Sequence, residues 1–208
     1  ATLDLVRGEW RNYEHSLTGP SSKEPEGDLD VSAISIQENN DKTPVNYVLP
    51  PGISRVVDRS NSQLTEHNEQ ALNITVKNLP SGESRAIFKT STLDLRQYKH
   101  IQMFVHANAF ENNITNLQDN QLALFVRLGS DYKSNYYEYE MPLSITPEGL
   151  YPDDDNGRLA VWPIQNNVEI IFEQVQLVKQ QRKNDRHREP YDQIQKVKNK
   201  GILECFNK

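Results

Sequence analysis

The chain has 208 residues, with 29 acidic against 23 basic side chains, a formal net charge of −6 and a single cysteine. That length suits one generous domain, or one domain with a tail, burying roughly 70% of the surface its unfolded form exposes. The acidic balance argues against a nucleic-acid surface. The lone Cys205 excludes an internal disulfide and a cysteine-built zinc site, and no stretch reaches the roughly 18 uncharged apolar residues of a transmembrane helix.

Hydrophobic residues make up 36% of the chain and the mean hydropathy is −0.76, yet nine Tyr, six Phe and two Trp speak for a compact core. Charge is unevenly placed. Residues 1–178 carry 14 basic and 25 acidic side chains (net −11), and residues 179–208 carry 9 and 4 (net +5). Such a basic run is most often a solvated face, with contact to an anionic surface as the alternative. The chain opens at Ala1, and Asp4 and Arg7 interrupt any basic-apolar leader. It reads as a fragment or processed product.

In chain order, Ile34–Ile36 is the first short strand candidate. Residues 37–70 are polar and interrupted by proline, with Pro44, Pro50 and Pro51 around Val45–Leu49. The Pro50-Pro51 pair predicts extended or polyproline geometry before Gly52. Leu72, Ile74 and Val76 then alternate with polar neighbours, and Pro80-Ser81-Gly82-Glu83 predicts a turn before a short strand at Ala86–Phe88. Leu93-Asp94-Leu95-Arg96-Gln97-Tyr98-Lys99 leads into the alternation of Ile101, Met103 and Val105. Leu122, Leu124, Val126 and Leu128 form the cleanest stripe, with Ala123 and Phe125 making its second face apolar too. After the turn at Gly129-Ser130-Asp131, Tyr137, Tyr139 and Met141 alternate with Tyr136, Glu138 and Glu140.

Pro147-Glu148-Gly149 predicts another turn and Leu159–Trp162 another short strand. Val168, Ile171, Phe172, Val175 and Val178 recur at three- and four-residue spacing, which predicts an amphipathic helix of about three turns. Lys179, Arg182 and Lys183 sit at its C-terminal end, where cations suit the dipole. Many short strands with intervening turns predict a mainly all-β fold, an antiparallel β-sandwich of jelly-roll or galactose-binding-like type. A short helix near the C-terminus completes it. The domain is expected over 1–178, including the Pro-containing extended segment at 37–70, with 179–208 a basic tail.

Chemistry-bearing groups are sparse. Asp153, Asp154 and Asp155, followed by Asn156, offer the hard oxygens that Ca²⁺ prefers, without the Gly and Glu placement of an EF-hand. They are a candidate structural Ca²⁺ site, and a solvated acidic loop is the plainer reading. No other cofactor is expected. His100 and His106 bracket one strand about 20 Å apart, too far for one metal, and His15, His67 and His187 have no ligand spacing. Glu138 and Glu140 share a strand face about 7 Å apart, loosely compatible with a glycosidase pair, but exposed carboxylates on a strand are far commoner than active sites. Ser130 has no nucleophile elbow around it. Gly82, Gly129, Gly149 and Gly157 stand alone rather than in a phosphate loop. Asn73-Ile74-Thr75 and Asn113-Ile114-Thr115 match the glycosylation sequon. Trp10, Tyr136 and Trp162 are candidate carbohydrate-binding aromatics, against the default that sandwich aromatics are buried. The chain is read as a non-enzyme.

A more specific signal comes from Thr43-Pro44-Val45-Asn46-Tyr47-Val48-Leu49-Pro50-Pro51-Gly52-Ile53-Ser54-Arg55. With it, in order, come Gly8-Glu9-Trp10-Arg11, Arg127-Leu128-Gly129-Ser130-Asp131-Tyr132, Asn135-Tyr136-Tyr137-Glu138-Tyr139-Glu140 and Val161-Trp162-Pro163. Over Gly8 to Asn184 the chain resembles a soluble region of the SprA/Sov family. The resemblance implies a very large outer-membrane β-barrel of Bacteroidetes, the type IX secretion and gliding-motility translocon, through which folded cargo leaves the cell. The barrel's own pattern, strands of about ten alternating residues with aromatic girdles, is missing here. The chain is therefore expected to be a water-exposed module carried by the barrel in the cell envelope, inserting no segment of its own into the membrane. Expected partners are other parts of the translocon, secretion-system subunits or cargo, with Tyr47, Val48, Leu49 and Ile53 as the docking residues. The alternative is a carbohydrate-binding module of a cell-surface protein.

Overall fold

The structure, a computed structural model, describes residues 10–17, 23–58, 65–90, 94–110, 117–132, 135–185, 197–199 and 201–207. Strand β1 (Arg11–Asn12) and β2 (Asp28–Ser35) precede helix α1 (Ile36–Asn39), followed by β3 (Val57–Asp58), β4 (Thr65–Glu66), β5 (Gln70–Lys77) and β6 (Ile87–Phe88). A 3₁₀ turn at Leu95–Gln97 leads into β7 (His100–Met103), β8 (Ala123–Gly129) and β9 (Asn135–Pro142). Helix α2 (Asp155–Val161), a 3₁₀ turn at Ile164–Asn166, β10 (Val168–Ile171), α3 (Phe172–Asp185), β11 (Val197–Asn199) and β12 (Gly201–Asn207) complete the order.

Among the described residues the strands form small sheets. β1 pairs with β6, β2 with β5, β3 with β4 and β7 with β10, and one four-stranded sheet runs β11-β12-β9-β8. The chain is thus mainly β, and the β1–β6, β3–β4, β7–β10, β8–β9, β9–β12 and β11–β12 ladders are antiparallel. The strand expected at Ala86–Phe88 is the two-residue β6, paired with the equally short β1, so this pair cannot extend a large sheet by itself.

The chain divides into two compact units, Ala1–Ala33 with Leu72–Leu95, and Ile34–Ala71 with Arg96–Lys208. In the first, Tyr13 donates its N–H to Ala86 O and packs edge-on against Phe88 at 6.3 Å. Lys23 pairs with both Glu83 and Glu26. Gly27 has φ +85°, and a Cβ there would sit 3.1 Å from Lys77 O, so this position needs glycine. The predicted turn at Pro80 forms, with Glu83 N–H donating to Pro80 O and Gly82 at φ +82°. The alternation at Leu72 and Ile74 is present, yet both side chains are 45% exposed. The polar partners face the other way: Asn73 donates to Ser32 and Thr75.

The second unit holds two apolar clusters. One joins Tyr139 and Met141 of β9, Val168 and Ile170 of β10, and Val178 of α3, flanked by Leu124, Val126 and Leu128 of β8 and by Ile101. Register explains it: Leu124, Val126 and Leu128 stand opposite Met141, Tyr139 and Tyr137, so one face of the β8–β9 pair is apolar throughout. The other face carries the Arg127–Glu138 ion pair, with the guanidinium 4.3 Å from the Tyr136 ring centroid. Gly129 closes the β8 end, where a Cβ would strike Asn135 O at 2.2 Å. The second cluster is built from Val45, Tyr47, Val48, Val161 and Trp162.

Three expectations change. Val168–Ile171 is a strand and not the start of a helix, because Val168 and Ile170 alternate with outward Glu169 against β7. The helix begins at Phe172, and Phe172, Val175 and Val178 keep a helical spacing. Spacings of two, three and four coexist in this stretch, so the pattern was ambiguous. Leu159–Trp162 is not a strand: Asp154 caps α2 by accepting from Gly157 N–H at 2.8 Å. Gly157 also approaches Pro152 O so closely that a Cβ would lie 1.9 Å from it. Finally, β12, within the stretch expected to be a tail, pairs with β9 from Ile202↔Glu140 to Asn207↔Asn135.

Candidate functional site

The Pro-flanked segment is tied to distant parts of the chain by several hydrogen bonds. Prolines at 44, 50 and 51 hold its backbone extended, and an extended segment has no internal hydrogen bonds of its own. Its polar groups must therefore find partners elsewhere, and several do so in residues 149–162. Gly149 donates to Pro44 O at 2.9 Å, beside a parallel bridge between Val45 and Gly149. The buried Asn46 side chain donates to Tyr151 O at 2.9 Å and accepts from Tyr151 N–H at 2.7 Å, satisfying both backbone groups of one residue. Tyr47 N–H donates to Asn39 O at 2.8 Å. Leu49 N–H donates to Asp153 Oδ1 at 3.2 Å, and the Trp162 indole N–H to Val48 O at 2.9 Å. The Tyr47 and Trp162 rings meet edge to face at 6.0 Å.

Pro50-Pro51-Gly52-Ile53 closes the segment as a turn, not as continuing polyproline. Ile53 N–H donates to Pro50 O, and Gly52 has the positive φ (+75°) that the third residue of such a turn requires.

Of the residues expected to dock, three are covered within the chain itself. Tyr47, Val48 and Leu49 are 4%, 1% and 4% exposed, packed on the chain's own Trp162 and Val161. Ile53 is half-buried, and its carbonyl accepts from Arg158 Nη1 at 3.2 Å. Aromatic and aliphatic residues in a fixed extended segment suit a core as well as an interface, and the sequence held no sign of which covers them.

The acidic triplet is likewise occupied by structural roles. Asp153 accepts from Leu49 N–H and from Arg158 Nε at 2.6 Å, and that guanidinium holds its carboxyl below the usual range. Asp154 caps α2, and Asp155 begins the helix. The three carboxylates do not converge, and among the described residues no group of three or more acidic, His or Cys side chains is placed to hold a metal. The three candidate aromatics differ in exposure. Trp10 is 46% exposed, whereas Tyr136 and Trp162 are 7% and 6% exposed and offer little ring surface to a sugar.

The remaining candidates find local partners. β7 ends at Met103, so His106 lies beyond the strand, with its ring 5.9 Å from Trp162. Its Nδ1 lies 2.8 Å from Val161 O and its Nε2 3.1 Å from Asn108 Oδ1, and burial lowers its pKa. Glu138 is buried against Arg127 while Glu140 is exposed, so the two carboxylates do not share an environment. Asn73 lies in β5; Asn113 and His187 fall outside the described residues. Sequence reasoning passed over Asn46 and Asn166, two buried amides with the same job. Asn166 binds both Ser144 N–H and Ser144 O at 2.8 Å, as Asn46 binds Tyr151. For Asn46, alone between Val45 and Tyr47, that isolation was the available signal, since a buried amide must find partners; Asn166, beside Gln165 and Asn167, carried none.

The SprA_N family model, described as a motility related/secretion protein, matches residues 1–203. A comparison with curated proteins finds no match.

Proposed function

The chain belongs to the SprA_N family of motility related/secretion proteins, and from that premise we propose that it is a non-enzymatic interaction domain carried by an outer-membrane secretion translocon of the type IX, gliding-motility kind. It works in the bacterial cell envelope as a scaffold around the barrel, and its partners are other parts of the translocon, secretion-system subunits or cargo. The observation that carries this reading is the family match over 1–203, which takes in both the Pro-flanked segment and the Trp162-Pro163 stretch that covers it. A non-enzymatic role is supported by what the reactive side chains do. Asp153, Arg158, Arg127, Glu138 and His106 each hold a backbone group or an ion partner. Among the described residues no helix is long and apolar enough to cross a membrane, which fits a domain carried by a barrel and not itself inserted as a helix.

The facing of β8–β9 and β7–β10 across one apolar cluster also supports a jelly-roll-like reading of the second unit. Folds of that kind host many functions, so the fold adds nothing to the choice of partner.

The test is an in-frame deletion of this segment from its full-length parent, with barrel insertion verified before secretion is assayed. Cargo accumulating in the periplasm behind a normally inserted barrel is the expected outcome. Normal secretion would remove the domain from the transport mechanism.

A further inference from the structure

The β7–β10 ladder ends where β7 begins and α3 begins, with Phe172 N–H donating to Lys99 O at 3.0 Å. Beside this junction lies an open groove of about 520 Å³, lined by Tyr98, Lys99, His100, Glu169, Glu173 and Gln176 among others. That volume falls within the roughly 300–1,000 Å³ range of small-ligand sites. Unlike the Pro-flanked segment, its wall is unengaged. Tyr98 is 49% exposed, and the side chains of Tyr98, Lys99, His100, Glu173 and Gln176 have no hydrogen bond or ion pair among the described residues. Only Glu169 is partly occupied, accepting from Gln102 Nε2 at 3.0 Å.

The geometry points to a saccharide-binding subsite in this groove, taking one or two neutral sugar rings over Tyr98. A sugar ring offers an apolar C–H face for one aromatic side chain and a rim of hydroxyls that both donate and accept. The groove matches each part. Tyr98 supplies the aromatic surface, Glu169 and Glu173 supply acceptors, Lys99 supplies donors, and His100 and Gln176 supply both. The mixture of signs favours a neutral ligand: Lys99 disfavours a cation, and the two glutamates disfavour a phosphate or a uronic acid. The hydrogen bond from Phe172 N–H to Lys99 O fixes the spacing between the groove's walls. An open groove with one aromatic residue leaves much of a ligand in water, so binding is weak, with Kd of about 1 mM.

This inference does not rest on the translocon reading. The experiment is a titration of the whole chain, labelled with ¹⁵N, with cellotetraose and separately with chitotetraose, followed by amide chemical shifts. The expected result is saturable shifts confined to residues 98–100 and 169–176 with at least one of the sugars, weakened about tenfold or more in Tyr98→Ala. Because Tyr98 is half exposed, that variant keeps the wild-type thermal midpoint, and Trp10→Ala keeps wild-type binding. Glu173→Gln, which preserves shape, weakens binding several-fold. No saturable shift with either sugar up to about 10 mM, or shifts unaffected by Tyr98→Ala, overturns the proposal. So does a Lys-rich peptide that shifts the same amides where the sugars do not. Secretion by the deletion strain is read separately, so either conclusion can fail without the other.

Discussion

The Pro-flanked segment and the groove at the start of β7 lie in the same unit and are handled in opposite ways. In the first, apolar side chains are buried and nearly every backbone polar group between Pro44 and Ile53 that the structure pairs is met by residues 149–162 or by α1. In the second, five side chains with hydrogen-bonding capacity have none of it used among the described residues. The difference separates cohesion from recognition. A segment whose groups are engaged at home contributes to stability, and a wall whose groups are idle is where binding energy remains available. The distinctive character of Asn46-Tyr47-Val48-Leu49-Pro50-Pro51-Gly52 therefore marks a structural clamp, a role that rigid aromatic sequence shares with docking motifs.

Breaking the clamp gives the largest expected effect. Trp162→Ala removes a buried indole, its edge contact with Tyr47 and the hydrogen bond to Val48 O, and should cost about 3–5 kcal/mol. Chemical denaturation checks this, and a loss near zero would mean that the segment is not held as described. Next comes Asn46→Ala. It leaves both Tyr151 N–H and Tyr151 O without their partner, an expected loss of about 2–3 kcal/mol by the same measurement.

The smallest effect is confined to alkaline solution. Burial, with Glu69 and Asp153 nearby, pushes the Tyr47 hydroxyl up to about 12. A group whose folded pKa lies above its unfolded value stabilises the fold fully below the unfolded pKa, near 10. That contribution is lost as pH rises through the folded value. The thermal midpoint should fall across roughly pH 10 to 12, and Tyr47→Phe should flatten that part of the profile relative to wild type. An unchanged slope would place Tyr47 in water.

Much of this was legible beforehand, and the misses have physical causes. Strict alternation at Leu124, Val126 and Leu128 and at Tyr139 and Met141 located β8, β9 and their buried face, because period two admits one reading when a stripe is that long. The turns at Pro80 and after Gly129 followed from residues suited to turns: proline fixes its φ, Gly82 takes a positive φ, and Asp131 accepts from Asn135 N–H. At Val168–Val178 two periods overlap, and only pairing with β7 settles Val168–Ile171 as strand. At Asp153–Asp155 the composition suggested a cation site, while the partners Asp153 takes are the Leu49 N–H, from a distant part of the chain, and Arg158, one turn into α2. The same limit applied to Tyr47, Val48 and Leu49. Sequence shows that a residue is apolar and held rigid, and it leaves open what lies against it. The groove was least legible, since Tyr98 and Lys99 precede β7 whereas Glu169, Glu173 and Gln176 are brought beside them by the β7–β10 ladder and the first turns of α3.

Amide hydrogen exchange under native conditions tests the clamp most directly. The amides of Tyr47, Leu49 and Tyr151 each donate a hydrogen bond inside it. They should exchange as slowly as Tyr139 in β9, opening only when the unit unfolds. Exchange of all three on the timescale of the exposed Val56 would contradict the account and return residues 43–53 to the role of a free docking segment.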